Sequence, residues 1–109
     1  MTVTAKCLVE SKYAENAQTT QYTTPTGTRT IIDKFTAYSA TGTTLAINLV
    51  ASGGAAGAAN LKIVKALAAG DTYSFPEIVG QYLNAGDFVS TLAGAASNVV
   101  IRISGREVT

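Results

Sequence analysis

The side chains able to do chemistry are few, and their context says more than their number. The 109-residue chain has no histidine and a single cysteine, Cys7. That removes Ser-His-Asp and Cys-His catalysis, most transition-metal sites, any internal disulfide and any cysteine zinc site. Cys7 falls in an alternating apolar stretch and reads as a buried thiol, with a disulfide to a second chain as the alternative. Among the 7 acids, Asp71 and Asp87 share a context. Leu67-Ala68-Ala69-Gly70-Asp71-Thr72-Tyr73-Ser74 is echoed by Leu83-Asn84-Ala85-Gly86-Asp87-Phe88-Val89-Ser90. Glycine tolerates a positive φ and aspartate hydrogen-bonds nearby backbone, so Gly70-Asp71 and Gly86-Asp87 are turns, each feeding a strand. A calcium site from these two carboxylates and loop carbonyls is the chemical alternative, although EF-hand spacing is missing. A glycosidase needs two acids flanking a sugar cleft, and no other pair here has matching surroundings. Five tyrosines (Tyr13, Tyr22, Tyr38, Tyr73 and Tyr82) suit either sugar stacking or core-edge and interface packing. The small-residue stretch from Ala51 to Ala59 lacks the Gly-Lys-Ser/Thr ending of a phosphate loop and the acidic residue of a dinucleotide site. No enzyme site emerges, and neither a cofactor nor a metal is expected.

The elements that would carry these residues are strands. A chain of this length makes one domain, residues 1–109, with enough buried surface for a core. Hydrophobic residues make up 47% and charged residues only 14%, with Thr, Ala and Gly filling the difference. Net charge is +1 and the cations are scattered, so there is no basic patch for nucleic acid. No secretory signal and no apolar run long enough for a membrane is present.

Val3 to Val9 alternates as a strand; Glu10 to Thr19 reads as a loop, and Thr20 to Thr23 is β-prone. Pro25 and Gly27 mark a turn. Arg29 to Tyr38 is a strand whose alternation is interrupted by Asp33, which a bulge or a place near the sheet's end would accommodate. Thr43 to Val50 is the cleanest half-buried strand, with Leu45, Ile47 and Leu49 on one side. The short Gly42-containing loop between these two strands predicts an antiparallel hairpin. Asn60 to Leu67 fits a helix, with Asn60 as N-cap and helix formers from Ala58 to Ala69, but its brevity and its neighbours favour a strand. Thr72 to Phe75, Phe88 to Leu92 and Asn98 to Ser104 complete the set. The spacing predicts an all-β fold: a single antiparallel β-sandwich, jelly-roll-like. The expected core is Phe35, Leu45, Ile47, Leu49, Phe88, Ile101 and Ile103. An extended N-terminal arm (1–10) and a C-terminal tail (105–109) are left over as contact groups. The candidate interface is Thr2, Val3, Gly53, Gly54, Arg106 and Glu107, chosen as the parts the core needs least.

Tyr22-Thr23-Thr24-Pro25-Thr26-Gly27-Thr28-Arg29-Thr30-Ile31-Ile32 resembles the opening hairpin of small virion proteins from tailed bacteriophages. The resemblance continues in Leu83 to Val89 and in Ile101 to Glu107, and is weakest over Met1 to Glu10. It implies a structural virion protein. The expectation drawn from it is a non-enzymatic capsid decoration or cement protein, made in the host cytoplasm and located on the virion. Its partners would be the major capsid protein and copies of itself in a homo-oligomer, with no nucleic acid or membrane partner. A tail or head-tail connector component, or a carbohydrate-binding module of a receptor-binding part, is the alternative.

Overall fold

A computed structural model describes residues 1–57 and 60–109. Ala58 and Ala59, which end the expected 51–59 loop and begin the helix-prone stretch, lie outside the described residues. The strands are β1 (Val3–Tyr13), β2 (Thr19–Thr23), β3 (Arg29–Ser39), β4 (Thr43–Val50), β5 (Leu61–Leu67), β6 (Asp71–Ser74), β7 (Tyr82–Leu83), β8 (Phe88–Ala93) and β9 (Val99–Val108). Two sheets hold them: sheet A in the order β1-β9-β3-β6, with β7 also on β3, and sheet B in the order β2-β8-β4-β5. Every pairing is antiparallel.

The order has a simple origin. Setting aside the two-residue β7, the pairs β1·β9, β2·β8, β3·β6 and β4·β5 are those of one long hairpin folded back on itself. Rolling that hairpin up adds β9·β3 and β8·β4, which gives two four-stranded faces. This is the jelly roll, and it lets an antiparallel chain bury one face of each sheet against the other. None of the described residues forms a helix, so none is long and apolar enough to cross a membrane.

The core lies between the sheets. Phe35, Leu45, Ile47, Ile101 and Ile103 are fully buried there, joined by Ile32, Phe75, Ile78, Val89 and Val99. Alternation explains most of this: β9 buries Val99, Ile101 and Ile103 and turns Val100, Arg102 and Ser104 outward. In β3 a register shift between Ile32 and Lys34 puts Ile32, Phe35 and Ala37 inside while Asp33 stays exposed. The bulge therefore removes the conflict that Asp33 posed in the sequence.

Several expectations need correction. Phe88 is half-buried, because β8 enters from its Gly86-Asp87 turn with Val89, not Phe88, opposite inward-facing Leu49. Leu49 has the inward parity but is half-buried, lining a depression with Leu61, Gln81, Tyr82 and Leu83 at the sandwich's open side. The β3–β4 hairpin does not form: the turn after Ser39 carries the chain across from sheet A to sheet B. Crossing lets Ile32, Phe35 and Ala37 face Leu45 and Ile47 through the core instead of sharing a sheet with them. Glu10 to Tyr13 is strand rather than loop, since β1 continues along β9 to Tyr13 opposite Val100. By contrast, the strand reading of the ambiguous stretch holds: Leu61 to Leu67 is a strand, held by an unbroken register with β4.

Candidate functional site

The expected contact groups lie toward one end of the sandwich but are used differently from one another. Thr2 and Val3 are not a loose arm. Thr2 N–H donates to Thr109 O at 3.0 Å, and Thr109 N–H donates back at 2.9 Å. Val3 then pairs with Val108 as β1 runs along β9. The tail 105–109 is likewise almost all strand. Gly53 and Gly54 are exposed at the tip of a turn anchored by Ser52, whose N–H donates to Asp87 Oδ1 at 3.0 Å.

Arg106 and Glu107 are committed inside the molecule. Arg106 makes a forked ion pair with Asp33, at 2.9–3.1 Å, across β9 and the β3 bulge. Such bidentate geometry is the strong form of a surface ion pair. Glu107 accepts the Tyr22 hydroxyl at 2.5 Å and lies 3.4 Å from Lys6 Nζ, while the Tyr22 oxygen also contacts Thr30 Oγ1 at 2.8 Å. Tyr22 belongs to sheet B and Thr30 and Glu107 to sheet A, so this cluster ties the sheets together at that end. Burial first, and then the neighbouring Glu107 carboxylate, push the Tyr22 phenol up to about 12. The sequence missed this use of Glu107, and its only signal was Tyr22 in an otherwise threonine-rich strand.

The turn residues do what their types dictate. Gly27, Gly70 and Gly86 all have positive φ. After Pro25, Thr28 N–H donates to the Pro25 carbonyl at 3.2 Å and closes that turn. Asp71 accepts Ala68 N–H at 3.2 Å and Asp87 accepts Asn84 N–H at 2.9 Å. Both carboxylates are thereby turned onto backbone. Among the described residues no three of His, Cys, Asp and Glu are grouped to hold a metal ion. Cys7 is half-buried rather than buried, because it sits just before a register shift in an edge strand, with its sulfur near the carbonyls of Val9 and Ile103.

What remains open are the sheet edges, where unpaired N–H and C=O groups face outward. Sheet A ends at β1 on one side and at β6 and β7 on the other, and sheet B ends at β2 and β5. Each edge is blunted in its own way. β6 has 4 residues, and β2 has 5 with a register shift after Thr20. β1 shifts register after Cys7 and again after Val9. β5 is regular but bears Lys65 on the face that Leu45 and Ile47 define as inward. Lys65 Nζ lies 4.6 Å from the centre of the Tyr73 ring, and Tyr73 stacks edge-on against Phe75 at 4.8 Å. Phe75 meets Phe35 at 5.2 Å, so the lysine seals the open side on an aromatic stack that reaches the core. Several exposed large apolar side chains lie on these edges, Val3 and Tyr13 on β1, Leu61 and Val64 on β5 and Tyr82 on β7, while Tyr38 is exposed on the inner strand β3.

No family model and no curated protein matches the chain. A solved structure is similar to it, from work whose subject is that Bacillus endospore appendages form a novel family of disulfide-linked pili. The match has a TM-score of 0.57 and 19% identity, and covers 99% of this chain and 88% of that one. At such identity the likeness speaks to the fold, and it agrees with the sandwich described above. It also overturns the expectation of a phage capsid decoration or cement protein, together with its connector, tail and carbohydrate-binding alternatives. The fold is shared over 99% of the chain with a structure from work on Bacillus endospore appendages, and nothing in that match points to a phage particle.

Proposed function

We propose that this chain is a non-enzymatic structural subunit that associates with copies of itself into an extended assembly of the pilus kind. The observation that carries the reading is the match in fold to an endospore appendage protein over 99% of the chain. The residue inventory supports it: no histidine, one cysteine, and acids spent on turns and ion pairs. A jelly roll has edges on two opposite sides, so contact between unlike sides propagates a fibre or closes a ring. Covalent linkage would differ from that in the appendage family. With Cys7 alone among these 109 residues, a disulfide joins two copies and cannot continue to a third.

The test is purification under reducing conditions, followed by sedimentation velocity over a wide concentration range and negative-stain microscopy. Oligomers that grow with concentration, or filaments with a regular repeat, are expected. A chain that stays monomeric throughout would overturn the proposal.

A further inference from the structure

Two edges run five residues or more without a register break: Val3 to Cys7 of β1 and Leu61 to Leu67 of β5. Charge separates them. β5 carries Lys62 and Lys65 and no acid, whereas Val3 to Cys7 carries only Lys6. Pairing β5 with itself would bring four lysines onto two adjacent strands, and pairing it with β1 would bring three. Like charges on facing strands oppose pairing.

The direction of the free backbone groups on β1 follows from its first hydrogen bonds. Thr2 and Thr109 exchange both N–H···O bonds, so they form a hydrogen-bonded pair. In an antiparallel ladder such pairs alternate with non-bonded ones. Thr4·Glu107 and Lys6·Gly105 are therefore bonded pairs, and Val3·Val108, Ala5·Arg106 and Cys7·Ser104 are not. The N–H and C=O groups of Val3, Ala5 and Cys7 point away from β9 toward the open edge. Val3, Thr4, Ala5 and Lys6 are all exposed.

We infer that Val3 to Cys7 is a self-complementary edge on which a second copy of this chain docks antiparallel, across a two-fold axis at Ala5. This rests on the self-association proposed above and names one of its contacts. In that register Ala5 faces Ala5 of the second copy, Val3 faces Cys7, and Lys6 faces Thr4, so no two charges stand directly opposite. Five pairs form before the shift after Cys7 ends the ladder. Sheet A then continues from one copy into the other, as in other strand-addition interfaces. The two thiols end four residues apart along the strands, about 14 Å at roughly 3.4 Å per residue, too far for a disulfide.

Ala5→Pro tests the contact directly. The Ala5 N–H points outward, so proline there removes no bond to β9, and edge strands tolerate it. At the two-fold centre the one substitution removes both central hydrogen bonds. Sedimentation in reducing buffer should show the dimer weakened roughly thirtyfold or more, with an unchanged circular dichroism spectrum. If the wild type assembles in reducing buffer and Ala5→Pro assembles equally well, the two-fold edge is wrong while self-association stands. A wild type that is monomeric at every concentration removes both. Should Ala5→Pro fail to fold, amide exchange of the wild type decides. Protection of the Val3 and Ala5 amides that rises with concentration supports the contact, and protection that does not change overturns it.

Discussion

The two Leu-x-Ala-Gly-Asp turns carry the same words and different responsibilities. Both are crossings between sheets: Leu67 to Asp71 takes the chain from β5 in sheet B to β6 in sheet A, and Leu83 to Asp87 returns it from β7 to β8. In each the aspartate N–H donates to the carbonyl three residues back at 3.0 Å, and its carboxylate accepts that same residue's N–H. Glycine stands at φ 80° in the first and 86° in the second. Their surroundings then diverge. The first turn makes one further backbone bond, Gly70 N–H to Ser39 O at 2.8 Å. The second is a junction: Gly86 N–H donates to Thr24 O, Thr24 N–H donates to Asp87 O, and Asp87 Oδ1 receives Ser52 N–H. A local phrase thus sets the turn, and long-range neighbours decide how much depends on it.

The leucines are where the two turns should agree, and they carry the largest effect. Leu67 is 4% exposed and Leu83 3%, and both belong to the core cluster. Leu67→Ala and Leu83→Ala should each lose about 2–5 kcal/mol in denaturant unfolding, to within about 1 kcal/mol of one another. A markedly cheaper Leu83 would mean that the short β7 can fall away without loosening the sandwich.

The glycines should separate the turns. An added Cβ at Gly70 meets nothing within 4 Å, whereas at Gly86 it falls 2.4 Å from Ser52 Oγ and 2.8 Å from Ser52 Cβ. Gly70→Ala pays only for the left-handed backbone, about 1–2 kcal/mol. Gly86→Ala adds overpacking, typically 1–3 kcal/mol more. Combining Gly86→Ala with Ser52→Gly should recover most of that addition and leave Gly70→Ala unchanged. Equal costs for the two single variants would show that the Ser52 loop yields freely.

These two turns also mark how far the sequence could be read. Their chemistry is complete within four residues, so glycine followed by aspartate was enough to place them. Alternation in 43–50 and 99–103 likewise exposes the inward face, because period two is local. Pairing is not local. The same apolar alternation in β3 and β4 suits a hairpin within one sheet or a crossing between two, and nothing near Gly42 distinguishes them. The inward step of Val89 instead of Phe88 depends on register against β4. The commitment of Arg106 and Glu107 to Asp33 and Tyr22 depends on partners 73 and 85 residues away. A tail that looks spare in the sequence is therefore bound in the fold.

Alkaline pH should act beside both turns, and more weakly, with the larger shift beside the second. Tyr22 lies two residues before Thr24, which holds Gly86 and Asp87, and Tyr73 lies two residues after Asp71, its phenol also raised, by desolvation and then by the Glu77 carboxylate. The Tyr22 phenol stands at about 12 in the folded chain against an ordinary 10. A folded value above the unfolded one favours the neutral form, so this contribution is whole below pH 10 and is lost as pH rises toward 12. Tyr22→Phe lacks the titration, and its thermal midpoint should fall less than that of the wild type over that window. Parallel curves would show that the Tyr22–Glu107 contact does not bear on stability.

The aspartates give the finest comparison. Asp71 accepts one backbone N–H, that of Ala68 at 3.2 Å. Asp87 accepts two, from Asn84 at 2.9 Å and from Ser52 at 3.0 Å, and so holds a loop as well as its own turn. Each bond is exposed, where water replaces much of what is lost, so about 0.5–1.5 kcal/mol per bond is the appropriate scale. Asp71→Ala should cost about that much and Asp87→Ala about twice as much. Asp87→Asn keeps an acceptor oxygen, but one amide oxygen cannot serve both donors as a carboxylate does, so it should fall between wild type and Asp87→Ala. Amide exchange gives the independent reading: Ser52 and Asn84 should both lose protection in Asp87→Ala, whereas in Asp71→Ala only Ala68 should. If Ser52 keeps its protection in Asp87→Ala, the second turn is no junction, and the two phrases differ only in where they lie.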